Sequence, residues 1–137
     1  AASRRCFLVC GVVFFAATLN GCAGLTSLQN ENEALLQRAK EFWKAVQAND
    51  LETAWKYEEL SKKPAWTLQA YVQRGGVIYE AVQVLEVRSM EADRAQIDVK
   101  ISYSLPLLRM NKKEVVLKDE WVRLDGHWYH ADRKGLL

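Results

Sequence analysis

The sequence predicts an α+β fold: three N-terminal helices packed on a curved antiparallel sheet of about four strands. Three observations carry this reading. Apolar residues recur at three- and four-residue spacing between Glu31 and Ala48. From Val77 onward the period shortens towards two, with β-branched residues in the runs. Asp125-Gly126 stands between two alternating runs near the end of the chain, a pairing of residue types that makes a two-residue hairpin turn.

The chain divides into a leader over 1–21, a tether over 22–30 and one α+β domain over 31–137. The leader has a positive flank, Arg4-Arg5, and an uncharged apolar run from Cys6 to Leu19. As a helix that run would span roughly 21 Å, short of the roughly 30 Å hydrocarbon core of a bilayer. It has the length of a signal-peptide core, and a retained membrane helix is the alternative. Ala23 to Gln29 is small and polar, as a tether should be.

The first helix is expected over Glu31–Ala48. Asn30 is placed to cap it, and Glu33 completes a capping-box pattern. Leu35, Leu36, Ala39, Phe42, Trp43 and Val46 form its apolar face, with Gln37, Arg38, Lys40, Glu41 and Lys44 largely opposite. Asn49-Asp50 ends it, and Asp50 can cap a second helix over Leu51–Leu60. Leu51, Ala54, Trp55 and Glu58 make the inner side of that helix, with Tyr57 beside them. Pro64 suits the first turn of a third helix over Ala65–Arg74, which Gly75-Gly76 stops.

Ile78 to Arg88 reads as a first strand with a bulge near Leu85. Ala95 to Ser104 alternates without a break. Ile97, Val99, Ile101 and Tyr103 share one face, and Gln96, Asp98, Lys100 and Ser102 the other. Met110 to Lys113 is expected as loop, and Glu114 to Leu124 as the third strand. Counting outward from Asp125-Gly126 pairs Leu124 with His127, Arg123 with Trp128, Val122 with Tyr129 and Trp121 with His130. Trp121, Arg123, Trp128 and His130 then share a face.

The whole chain has 19 basic and 17 acidic residues, and without Arg4 and Arg5 the two counts are equal. No basic stripe argues for nucleic acid. All three cysteines lie at or before position 22, so the domain has no disulfide and no thiol nucleophile. His127 and His130, three apart on a strand, point to opposite faces and do not share an ion. No metal and no cofactor is expected.

Two resemblances add to this. Leu19-Asn20-Gly21-Cys22 resembles the lipobox of bacterial lipoproteins. That resemblance implies cleavage before Cys22, a diacylglycerol on its thiol and a fatty acyl group such as palmitate on the new amino terminus. It places the domain on the cell-envelope membrane. Ala23, where a retention signal would have Asp, implies the outer membrane facing the periplasm. Two or more acyl chains hold a protein stably on a bilayer.

The order of elements resembles the nuclear-transport-factor-2-like superfamily, the cone-shaped fold shared with ketosteroid isomerases and polyketide cyclases. The residues that carry it are Phe42-Trp43, the helix start Asp50-Leu51-Glu52-Thr53-Ala54, Gly75-Gly76 and the closing run from Trp121 to Tyr129. The resemblance implies a cavity between sheet and helices, with Tyr57, Trp66, Tyr103, Trp121, Trp128 and His130 as candidates to line it. Aromatic packing of a disulfide-free core is the competing reading of the tryptophans.

An isomerase-type site needs a carboxylate base and a donor for the developing oxyanion. Asp98 and Asp119 are the carboxylates to consider. Alternation turns Asp98 away from the apolar face, towards solvent. Asp119 shares the Trp121 and His130 face and would oppose Asp132, so that two carboxylates together raise a pKa, unless both are solvated strand-end charges. No isomerase dyad is recognisable. The reading reached is a lipid-anchored, non-catalytic accessory or binding module for a partner protein of an envelope complex or a small apolar ligand. The alternatives are an isomerase- or cyclase-type enzyme and a small membrane-complex subunit that retains its N-terminal helix.

Overall fold

The computed structural model describes residues 23–74, 77–105 and 108–132. The expectations for the leader, for lipid on Cys22, for the Gly75-Gly76 stop and for Pro106 lie outside the described residues. Helix α1 spans Ala23–Gln47, α2 Leu51–Trp55 and α3 Leu68–Gln73, with a 3-10 turn at Glu59–Lys62 between the last two. Strands β1 (Tyr79–Met90), β2 (Arg94–Leu105), β3 (Met110–Leu124) and β4 (His127–His130) follow. They form one antiparallel sheet in the order β1-β2-β3-β4. The α+β class, with helices first and a four-stranded antiparallel sheet after, is the one expected.

Helix α1 begins before the Asn30 cap, so residues 23–30 are helix and not an irregular tether. Nothing in Leu25 to Asn30 breaks a helix, and one already nucleated downstream propagates back at little cost. Leu25 and Leu28 on this extension are exposed. At its other end α1 closes with a Schellman arrangement. Asn49 takes a φ of 56°, its N–H donates to the Val46 carbonyl, and Asp50 N–H donates to the Ala45 carbonyl. Asp50 then caps α2, its Oδ1 accepting from Thr53 N–H at 3.0 Å.

Helix α2 is shorter than the apolar pattern implies. The chain leaves it after Trp55, and Glu58 is extended (φ −80°, ψ 137°). Glu58 bridges His130 in parallel, and His130 N–H donates to the Tyr57 carbonyl at 2.7 Å. Tertiary pairing with β4 thus outcompetes another helical turn. Helix α3 starts at Leu68, capped by the Thr67 hydroxyl, and Pro64 sits in a preceding turn. Residues 110–113 are the start of β3 and not loop, because the β2–β3 ladder continues to the pair of Leu105 with Met110.

The β1–β2 ladder shifts register between Val84 and Glu86, at the expected bulge, and at two further places. Such bulges bend and twist a sheet. The four β3–β4 pairs are those counted from the turn. Asp125 and Gly126 both have positive φ, 50° and 78°, as a type I′ turn requires. A Cβ on Gly126 would meet no neighbour, so Gly126→Ala should act through the backbone alone. It is expected to cost about 1–2 kcal/mol, read as a lowered urea midpoint. An unchanged midpoint would dismiss this account of the turn.

The core lies between α1 and one face of the sheet. Leu35, Ala39, Phe42 and Trp43 meet Ile97, Val99, Ile101, Trp121 and Trp128 there. Long-range contacts help pin α1 in place. Arg38 Nε donates to the Trp128 carbonyl at 2.7 Å, Arg123 pairs with Glu31 at 2.8 Å, and Gln47 donates to the Glu80 carbonyl at 3.2 Å. Asp98 is not turned out to solvent. It is 4% exposed, because β2 is flanked on both sides and the Arg88 guanidinium lies across it.

Candidate functional site

The site is built around His130, the last residue of β4. Its Nε2 lies 2.9 Å from Asp119 Oδ1 and its Nδ1 lies 3.0 Å from Glu58 Oε2. Both ring nitrogens face carboxylate oxygens, and only the doubly protonated ring donates to both. Asp119, on β3, is fully buried. Its Oδ2 accepts two indole N–H bonds, from Trp43 and Trp121, each at 2.9 Å. Glu58 Oε1 accepts from the Tyr71 hydroxyl at 3.0 Å. Five elements thus contribute: α1, the Glu58 segment, α3, β3 and β4.

Aromatic rings enclose the imidazole. Phe42 stacks on it with centroids 4.3 Å apart, and Trp121 and Trp43 meet it edge-on at 5.8 and 6.2 Å. A cation stacked on the Phe42 face gains from its quadrupole. Burial by itself would favour neutral His130, but Asp119 and Glu58 outweigh it and push the imidazole up to about 10. Burial likewise opposes charge on Asp119, yet the His130 cation and three N–H bonds hold its carboxyl below the usual range. The Tyr71 phenol is raised, by burial first and by Glu58 second.

Two expectations for Asp119 are therefore corrected. It is not a solvated strand-end charge, and it does not oppose Asp132. Strand β4 ends at His130, Ala131 N–H donates to the Glu120 carbonyl, and Asp132 turns to Lys63, 3.1 Å away. The partner of Asp119 is a cation and not a second carboxylate, so its pKa moves down and not up.

Glu58 and His130 form part of the wall of a cleft of about 170 Å³. Phe42, Trp43, Val46, Leu51, Leu60, Tyr71 and Tyr79 supply its apolar and aromatic lining, and Asn49, Arg74, Val77 and Asp132 stand among its remaining residues. Of the six residues expected to line a cavity, His130 does so here. Trp121 borders a second cleft of about 150 Å³, beside Arg94 and Glu120. Trp128 is buried under the Arg123 guanidinium, 4.6 Å from its ring. Tyr57 donates to Glu41 at 2.8 Å and carries Arg38 over its ring. Tyr103 pairs across the sheet with Tyr79. Trp66 lies under Arg74, a residue of the cleft wall.

Glu58 and Tyr71 were not read as site residues from sequence. The signal available was the inward position of Glu58 on the expected second helix. Its meeting with Tyr71 depends on how α3 folds back. Among the described residues no group of three His, Cys, Asp or Glu side chains is placed to hold a metal ion. The two carboxylates lie on opposite nitrogens of His130, so the three groups converge on the ring and not on a common point.

No protein-family model matches this chain, and no curated protein sequence matches it either. A solved structure from Campylobacter jejuni, named as a candidate NTF2-like transpeptidase, is similar at a TM-score of 0.43 with 19% sequence identity. The similarity covers 69% of this chain and 94% of that one.

Proposed function

We propose that this chain is a lipid-anchored, non-catalytic binding module of the bacterial cell envelope, with a nuclear-transport-factor-2-like domain whose cleft holds a small apolar group. The observation that carries the reading is that the acid–base groups beside the cleft commit their protons to one another. Asp119, His130, Glu58 and Tyr71 are bonded to one another in a buried chain. His130 has no free nitrogen to accept a proton from a substrate. The aromatic wall supports an apolar occupant. The cleft volume, about 170 Å³, is near the ~150 Å³ of a cavity that accepts benzene. That suits a single ring or one anchoring side chain of a partner protein.

The cleft is tested by titrating the full chain with single-ring compounds and following tryptophan fluorescence. Saturable binding is expected, and Val77→Trp, which places an indole at the partly exposed cleft wall, should abolish it while leaving the unfolding midpoint in place. Binding that Val77→Trp does not touch would remove the cleft from this reading. The anchor is tested by the intact mass of the native protein, where cleavage before Cys22 with added acyl mass is expected. A retained leader would instead favour a membrane-complex subunit. Among the described residues no helix is long and apolar enough to cross a membrane.

A second reading is favoured by one contact. Glu58 is a buried carboxylate within hydrogen-bond reach of a tyrosine at a cleft, as an isomerase- or cyclase-type enzyme would need. On that reading Glu58→Gln would abolish a measured turnover with the fold intact, and the binding-module reading would be withdrawn.

A further inference from the structure

The buried acid–base groups on one side of the cleft keep acceptor sites and have spent their donors. Both His130 nitrogens donate to carboxylates. The Trp43 and Trp121 indole N–H groups go to Asp119. The Tyr71 hydroxyl proton goes to Glu58. A carboxylate has about four lone-pair sites and a phenol oxygen retains acceptor capacity after donating. Glu58 and Tyr71 therefore keep acceptor sites on the cleft, where both are wall residues.

Charge points the same way. One imidazolium between two carboxylates leaves the buried cluster with a net charge of −1. An uncompensated charge in a desolvated site is unfavourable. The nearby cations offset this only in part. Lys63 is held by Glu59 and Asp132 at 3.3 and 3.1 Å. Arg74 lies over the Trp66 ring and its charge reaches the Tyr71 phenol, but it is exposed and solvent weakens its effect. The remaining walls include the aromatic residues Trp43, Tyr71 and Tyr79, and aromatic faces attract cations.

We propose that the cleft takes a small organic ammonium ion of about single-ring size, whose N–H groups donate to Glu58 and whose apolar part lies against Trp43, Leu51 and Leu60. The proposal rests on the reading of the cleft as a binding site and adds the chemical class of its occupant.

Three probes of one shape separate the two ideas at neutral pH: benzylammonium, benzyl alcohol and benzoate, each titrated into the full chain and followed by calorimetry and by tryptophan indole N–H resonances. Benzylammonium is expected to bind about tenfold more tightly than benzyl alcohol, with benzoate weakest. In Glu58→Gln, which keeps the shape and removes the charge, the preference for the cation should vanish. A benzyl alcohol or benzoate affinity equal to or above that of benzylammonium in the unmutated chain would overturn the ammonium assignment and leave the cleft as a binding site. Absence of binding by all three would overturn both. The three-probe comparison on the unmutated chain decides the matter even if Glu58→Gln fails to fold.

Discussion

Replacing Asp119 with alanine should destabilise the domain by about 3–5 kcal/mol, among the largest effects of any single substitution in this chain. Its carboxylate is fully buried and receives N–H groups from Trp43, Trp121 and His130. Alanine would leave two indole donors without an acceptor, each at a desolvation cost of about 1–3 kcal/mol. It would also leave the imidazolium with one carboxylate in place of two. Asp119→Asn keeps the size and one acceptor oxygen but removes the charge, and should fall between alanine and the native residue. Urea unfolding followed by tryptophan fluorescence measures both. A loss below about 1 kcal/mol for the alanine variant would mean that the cluster does not hold the core together.

Stability should be greatest between about pH 4 and 6.5 and should decline as the pH rises towards 10. His130 has a pKa raised from 6.5 to about 10. Its contribution is therefore fully present below 6.5 and disappears as the pH climbs through the folded value. Asp119 has a lowered pKa, so its contribution is present above the unfolded carboxylate range and is lost as the pH falls through the folded value. The alkaline loss is on the order of several kcal/mol. Denaturation midpoints at half-unit intervals, for the native chain and for His130→Gln, would test this. The native slope between pH 6.5 and 9 should be markedly steeper than that of the variant, because histidine is the side chain whose unperturbed pKa falls near that window. Parallel slopes would show that His130 is neutral in the fold.

The hairpin at Asp125-Gly126 was legible because a two-residue turn sets register by counting, and the four pairs follow from it. The same count placed His130 beside Trp121. It could not extend to Asp132, since β4 stops where Glu58 docks against it. Asp98 shows a different limit. Alternation identifies its face correctly, but a central strand can bury a polar residue beneath a neighbour's long side chain, here Arg88. Helix α2 ends earlier than its pattern for the same kind of reason, since apolar spacing continues past Trp55 while the helical backbone does not.

Local pattern alone determined the α+β class, the apolar face of α1, the bulge at Leu85 and the pairing of β3 with β4. These depend on periodicity and turn chemistry, which act between residues near in sequence. The carboxylate–imidazolium–carboxylate chain was decided by tertiary structure. It joins Trp43, Glu58, Tyr71, Asp119 and His130 across separations of up to 76 positions. Whether a buried acid is repelled by another acid or paired with a cation depends on which distant side chain the fold delivers to it. No rule of spacing along the chain carries that information.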